Sequence, residues 1–198
     1  MNQTHIAEAI GAYGVLFFSL YWSFALLKQS WNIWHRKSGA SVSVPWMLYF
    51  YFLCPVYAIY GIQTDKWPLI AHGSLRGLCF IPILIGLMKY KGFQLWEKLT
   101  SPMMLLFVIL MITTSFSNWI FLVASTGGVF AAGLQPWEMF RKKSIGVFDF
   151  QLALVMMLSN CFYTLYSFAV KDIQLLILCI AYFLPIGATL LLWRRYRT

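Results

Sequence analysis

The chain has 198 residues, of which 61% are hydrophobic and 11% charged, with a formal net charge of +9. Soluble domains carry about 25% charged residues, so this composition excludes a water-soluble domain and points to an all-α integral membrane protein. Cys54, Cys79, Cys161 and Cys179 all sit in apolar runs, with neither metal-ligand spacing nor a disulfide framework, and read as inert buried thiols. The first apolar run follows a neutral start bearing Glu8, so no cleavable signal peptide is expected.

A spanning helix needs about 20 apolar residues, and seven such runs are predicted: residues 12–34, 44–63, 67–88, 99–114, 118–140, 147–170 and 174–193. Residues 103–140 are too long for one span, and the polar patch 113–118 is the expected turn. Basic residues collect in alternate connections. Lys28, Arg36 and Lys37 lie at the exit of the first span, and Lys89, Lys91 and Lys98 lie between the third and fourth. Arg141, Lys142 and Lys143 follow the fifth, and Arg194, Arg195 and Arg197 close the chain. The other connections hold Lys66 and Lys171, each beside an acid, Asp65 or Asp172. The positive-inside rule then puts the N-terminus outside and the C-terminus in the cytoplasm, which an odd number of spans satisfies. The basic balance therefore reflects topology, and no nucleic-acid partner is expected. Trp31, Trp34, Trp67, Trp96, Trp137 and Trp193 fall near predicted interfaces, as an aromatic belt does.

One segment occurs twice. QSWNIWHRKS at 29–38 and QPWEMFRKKS at 135–144 are separated by 135 − 29 = 106 residues. The same offset pairs Tyr57 with Tyr163, IYG at 59–61 with LYS at 165–167, and Asp65-Lys66 with Lys171-Asp172. Spans one to three thus match five to seven, giving two three-helix units at 1–92 and 118–198 with a linker helix in 93–117. An odd linker inserts both units in the same direction, as in parallel-repeat transporters.

The basic-aromatic exit ending in KS, then VSVPWMLYFYFLCPVYAIYG and DKWPLI, resembles the SWEET and PQ-loop transporter superfamily. KKSIGVFDFQLALVMMLSNCFYTLY is similar to the PQ-loop branch that includes cystinosin. The family's Pro-Gln pair appears as Lys28-Gln29 and Leu134-Gln135, so both glutamines are kept and both prolines lost, with Pro136 one place later. The resemblance implies gating at Gln29 and Gln135 and hinges at Pro45 and Pro136. Tyr57 and Tyr163 stand where SWEETs carry a solute-stacking tryptophan, with aromatic packing as the alternative. The asparagine that SWEETs carry in the third and seventh helices has no clear counterpart here. Asp149 matches the acid of the cystinosin-like FDF, implying substrate or proton coupling; a helix N-terminal acid is equally a cap, and Arg141–Lys143 lie close enough in sequence to pair with it.

Arg76 lies nine places into the third span, about 14 Å along it at 1.5 Å per residue. A charge at that depth costs at least about 2.5 kcal/mol and faces a cavity or a partner. Its planar fork suits a carboxylate or phosphate; the alternative is a packing role against an acid or helix carbonyls. His72 is one turn earlier on the same face, with Gly73 and Gly77 leaving room beside the pair. Asn160 needs a partner at mid-membrane depth and either meets a solute or bonds between helices. Gly127, Gly128, Ala131 and Ala132 allow close packing of the fifth helix; their mates in the first are Tyr21, Trp22, Ala25 and Leu26, so the halves are not interchangeable, which suits an asymmetric solute.

No catalytic motif is present. The expected function is transport of a small polar solute (amino acid, other carboxylate or sugar) by alternating access. The alternative is a sorting receptor of the KDEL type that binds a peptide or anionic ligand without moving it. No cofactor is expected, with proton coupling at Asp149 left open, as is a homo-oligomer. Size and short tails favour a bacterial inner membrane.

Overall fold

A computed structural model describes residues 3–114 and 116–197, without the side chains of Gln3, Thr4, Trp96 and Thr100. Ser115, inside the predicted turn at 113–118, and the Trp96 side chain of the predicted aromatic belt lie outside the described residues. The described residues form seven helices and no strand: α1 (Gln3–His35), α2 (Val44–Gln63), α3 (Trp67–Tyr90), α4 (Leu95–Thr113), α5 (Ser117–Lys142), α6 (Phe150–Ala169) and α7 (Ile173–Arg195). All but α4 are long and apolar enough to cross a membrane by length and composition; α4 contains two of the undescribed side chains.

Local signals explain the boundaries. Ser43 Oγ accepts from Trp46 N at the start of α2, where Pro45 occupies the first turn and its missing N–H costs nothing. Asp149 Oδ1 accepts from Gln151 N at 2.7 Å, so α6 begins at Phe150 rather than at residue 147. Gln94 and Glu97 form a capping box that starts α4 at Leu95, four residues earlier than expected. The larger difference is α1, which begins at Gln3 instead of residue 12: its first turns are too polar to score as a span, yet nothing in them breaks a helix. The start of α1 therefore has no counterpart in α5, which begins at Ser117.

The 106-residue offset reappears in the backbone. Positive φ angles occur at Lys37 and Lys143, both 47°, and at Asp65 and Lys171, 54° and 55°. Non-glycine residues rarely adopt this conformation, so the two pairs mark equivalent turns after α1 and α5 and after α2 and α6.

Packing follows the same rule. The third helix, α3, contacts both α1 and α2, and α7 contacts both α5 and α6. Between the two triplets α1 packs on α6 and α2 on α5, while α4, among the described residues, packs on α2 and α5. Two hydrophobic cores result. One, around Leu26, Trp46, Leu87, Met139 and Leu152, lies toward the basic connections; the other, around Val15, Tyr60, Leu69, Phe121 and Leu175, lies toward the opposite end. Large apolar side chains such as Leu78, Phe130, Leu184 and Leu191 are 71–82% exposed, as a lipid-facing belt requires.

The α2–α3 contact depends on Gly73. A Cβ there would collide with the Cys54 carbonyl oxygen and crowd Ala58 N, both backbone atoms of α2. The space that the glycine leaves is thus filled by α2 and not by a solute. Gly73→Ala should lower stability by about 1–3 kcal/mol, read as a fall in melting temperature in detergent. Gly133→Ala, where no atom lies within 4 Å, should leave it unchanged or raise it through helix propensity.

Candidate functional site

Where the two cores meet, the side chains leave a narrow cavity of about 40 Å³, room for water-sized groups. All five residues predicted to bind solute line it: Tyr57 from α2, His72 and Arg76 from α3, Asn160 and Tyr163 from α6. Residues from both triplets therefore face one cavity.

Arg76 is 3% exposed. Its guanidinium lies 4.1 Å above the Trp22 ring, and its Nε donates to the His72 carbonyl at 3.2 Å. No carboxylate among the described residues comes within ion-pair distance of it. Both contacts leave the outer fork of the guanidinium available to an acceptor in the cavity. His72 shares a 2.7 Å hydrogen bond between its Nδ1 and Ser19 Oγ. The imidazole is boxed by aromatic rings, with Tyr163 edge-on at 4.6 Å, Trp22 at 5.5 Å and Tyr57 at 5.8 Å. Asn160 donates from Nδ2 to the Cys179 carbonyl at 2.5 Å, so part of its amide is committed to holding α6 on α7. The Tyr163 hydroxyl is turned toward Ser19 but makes no hydrogen bond of good geometry with a described residue.

Trp22 and Tyr182 also line the cavity and were not singled out as solute-binding from the sequence. Neither has a local signal in a chain that is 19% aromatic. The offset carries one: 182 − 106 = 76, so Tyr182 is the counterpart of Arg76, and Gly128 that of Trp22. Tyr182 donates to the Ser125 carbonyl at 3.2 Å, and a Cβ on Gly128 would strike its hydroxyl. The mate of Ser125 is Ser19, the partner of His72.

Beyond the cavity the two triplets are tied together at both ends. At the basic end, Gln29 donates from Nε2 to the Val147 carbonyl (3.1 Å) and accepts from Asp149 N at Oε1 (2.7 Å). Gln135 donates from Nε2 to the Ser41 carbonyl (2.8 Å) and accepts from Ser43 N (2.9 Å). Adding 106 to 41 and 43 gives 147 and 149, so each buried glutamine grips the same pair of backbone groups in the other triplet. Asp149 pairs with Lys28 at 3.2 Å and accepts from Asn32 at 3.2 Å, rather than pairing with Arg141–Lys143. It lies at this closure and not in the cavity. Pro136 is buried inside α5 beside Gln135. At the opposite end Asp172 accepts from Lys66 Nζ at 2.5 Å and from the Tyr60 hydroxyl at 3.2 Å, while Tyr60 stacks on Phe121 at 3.8 Å.

Known proteins share parts of this arrangement. Residues 119–196 match the family model MtN3_slv, described as sugar efflux transporter for intercellular exchange. The fold matches that of a eukaryotic SWEET transporter with a TM-score of 0.62 and 13% sequence identity, covering 99% of both chains. At that identity the likeness speaks for the fold. No curated protein matches the chain in sequence. The chain thus has the fold of a SWEET transporter over its whole length, and α5–α7 resemble the sugar efflux transporter family.

Proposed function

We propose that the protein carries a small polar solute with an anionic group, such as an amino acid or another carboxylate, by alternating access between the triplets α1–α3 and α5–α7. The observation that carries this reading is Arg76, buried on the cavity wall with no carboxylate partner among the described residues. A solute carboxylate would complete the fork with paired charge-assisted hydrogen bonds, while Tyr57, Tyr163 and Trp22 supply apolar walls and Asn160 and His72 polar contacts. The name of the matching family favours a neutral sugar instead, and aromatic walls suit a sugar ring as well. A receptor that binds without transport has less support, because α5–α7 match a transporter family. The basic connections support a cytoplasmic C-terminus.

On this reading the cross-triplet bonds at the two ends are the two gates of the cavity. Alternating access needs each set to open in turn: Gln29 and Gln135 with the Asp149 cluster on one side, Tyr60 and Lys66 with Asp172 on the other. Pro136, next to Gln135, interrupts the α5 hydrogen-bond ladder where such a swing would bend it; Pro45 sits where the first turn of α2 would pivot.

A thermal-shift panel of sugars, amino acids and other carboxylates tests the solute class, since ligands of the folded state raise apparent stability. Carboxylates should stabilise the wild type and fail to stabilise Arg76→Ala. Stabilisation by sugars alone, unaffected by the substitution, would show that Arg76 is a packing residue. Net flux into liposomes distinguishes carrier from receptor. Gln29→Ala and Gln135→Ala each orphan two buried backbone groups, at a cost of about 1–3 kcal/mol per group. Each should speed labelling of cavity residue Cys179 by an impermeant thiol reagent applied from the basic side, about tenfold per 1.4 kcal/mol, with the other cysteines replaced by Ser. Unchanged labelling would remove the glutamines from the gate. Asp149→Asn should flatten the pH dependence of uptake if a proton is coupled there; an unaltered profile excludes coupling through this residue.

A further inference from the structure

A second cavity, polar and of about 310 Å³, lies between the start of α2, the N-terminal turn of α4 and the C-terminal turns of α5, at the basic end of the molecule. It shares no residue with the solute cavity, though Ser43 and Pro45, beside the Gln135 closure, stand on its wall. Its charges do not balance. Glu138, whose side chain is 12% exposed, accepts from Lys142 Nζ at 2.9 Å, Lys91 Nζ at 3.1 Å and Arg141 Nη2 at 3.1 Å. One carboxylate thus serves three cations. The other acid on the wall, Glu97, has its Oε2 engaged by Gln94 N at 2.7 Å. Burial draws the Lys91 ammonium below the usual lysine range, although Glu138 and Glu97 both pull against it, and the wall holds three cations to two carboxylates.

The surroundings of the cavity are apolar. Trp137 and Leu134 on its wall are 61% and 36% exposed, and Leu95 beside it is 77% exposed. A soluble anion would need the cations but not this apolar lip. A molecule with a phosphate head and hydrocarbon tails would use both, at the depth where basic connections meet the headgroup layer of a bilayer.

We propose that this cavity is a site for an anionic phospholipid, its phosphate held by Arg141, Lys142 and Lys91 and its acyl chains lying against Leu95, Leu134 and Trp137. Arg141 offers a paired donor fork to phosphate oxygens and the two lysines offer point charges. Because Lys91 also donates to the Val42 carbonyl, a lipid that recruits it would act on the connection between α1 and α2.

The test uses the full chain in neutral detergent with added phosphatidylglycerol, phosphatidylcholine or inorganic phosphate, followed by native mass spectrometry and melting temperature. Phosphatidylglycerol should remain as a single retained adduct and raise the melting temperature by several degrees, and phosphatidylcholine should not. Arg141→Gln with Lys142→Gln should lose at least half of that shift, while Lys143→Gln, outside the cavity wall, should keep it. Should the double variant melt early without lipid, Arg141→Gln alone, at a 63% exposed side chain, takes its place. An equal loss in Lys143→Gln would mean diffuse surface charge, and a full shift with inorganic phosphate would mean a soluble-anion site. Either result overturns the proposal.

Discussion

Burying a guanidinium inside a helix that crosses hydrocarbon costs at least about 2.5 kcal/mol, and much of the molecule's centre is arranged to meet that cost without an acid. The Arg76 plane rests on the Trp22 face, and its Nε reaches back one turn to the His72 carbonyl. The His72 ring is fixed in turn by Ser19. Ser19 and Trp22 belong to α1, so the arginine is served by the neighbour of α3 within the first triplet. The second triplet contributes walls rather than charge, through Tyr163, Asn160 and Tyr182. The electrostatic interest of the cavity is therefore one-sided, while its shape is made by both halves.

Closure of the two ends uses different physics. At the basic end the connecting loops fold back over the bundle, and their backbone groups cannot all reach water; buried backbone groups must be paired. Gln29 and Gln135 provide a carbonyl and an amide each, matching one donor and one acceptor in the opposite loop. A glutamine is suited to this because it is neutral and carries both functions. At the other end one carboxylate, Asp172, gathers Lys66 and the Tyr60 hydroxyl while also capping α7 through Leu175 N at 3.0 Å. There the symmetry of the repeat is broken, and a charged contact replaces a neutral one.

Much of this was legible in the sequence because membrane helices are long and their connections are charged. The bounds of α2 are those expected, since Ser43 and Pro45 mark its start and Thr64 follows its end. The cavity set around Arg76 could be chosen because charge and polarity are conspicuous against an apolar background. Trp22 could not, since its role is to present a ring face to a residue that is distant in sequence. The polar start of α1 was likewise hidden: Gln3 to Gly11 reads as a tail by hydropathy and continues as helix because no residue in it opposes one. The pairing of Asp149 with Lys28 rather than its closer basic neighbours is a tertiary fact, fixed by the packing of α1 on α6.

The exchange of Trp22 for Gly128 and of Arg76 for Tyr182 across the 106-residue offset also makes the two halves unequal in what they can hold. In the first triplet an indole receives a cation; in the second a glycine makes room for a phenol. Two copies of the first half would bring two guanidiniums and two indoles into the space that now holds one of each, and two copies of the second would leave no cation in it. The halves are complements in shape and charge: residues 22 and 76, and likewise 128 and 182, are in contact, so a larger or charged side chain at one changes the room left to the other.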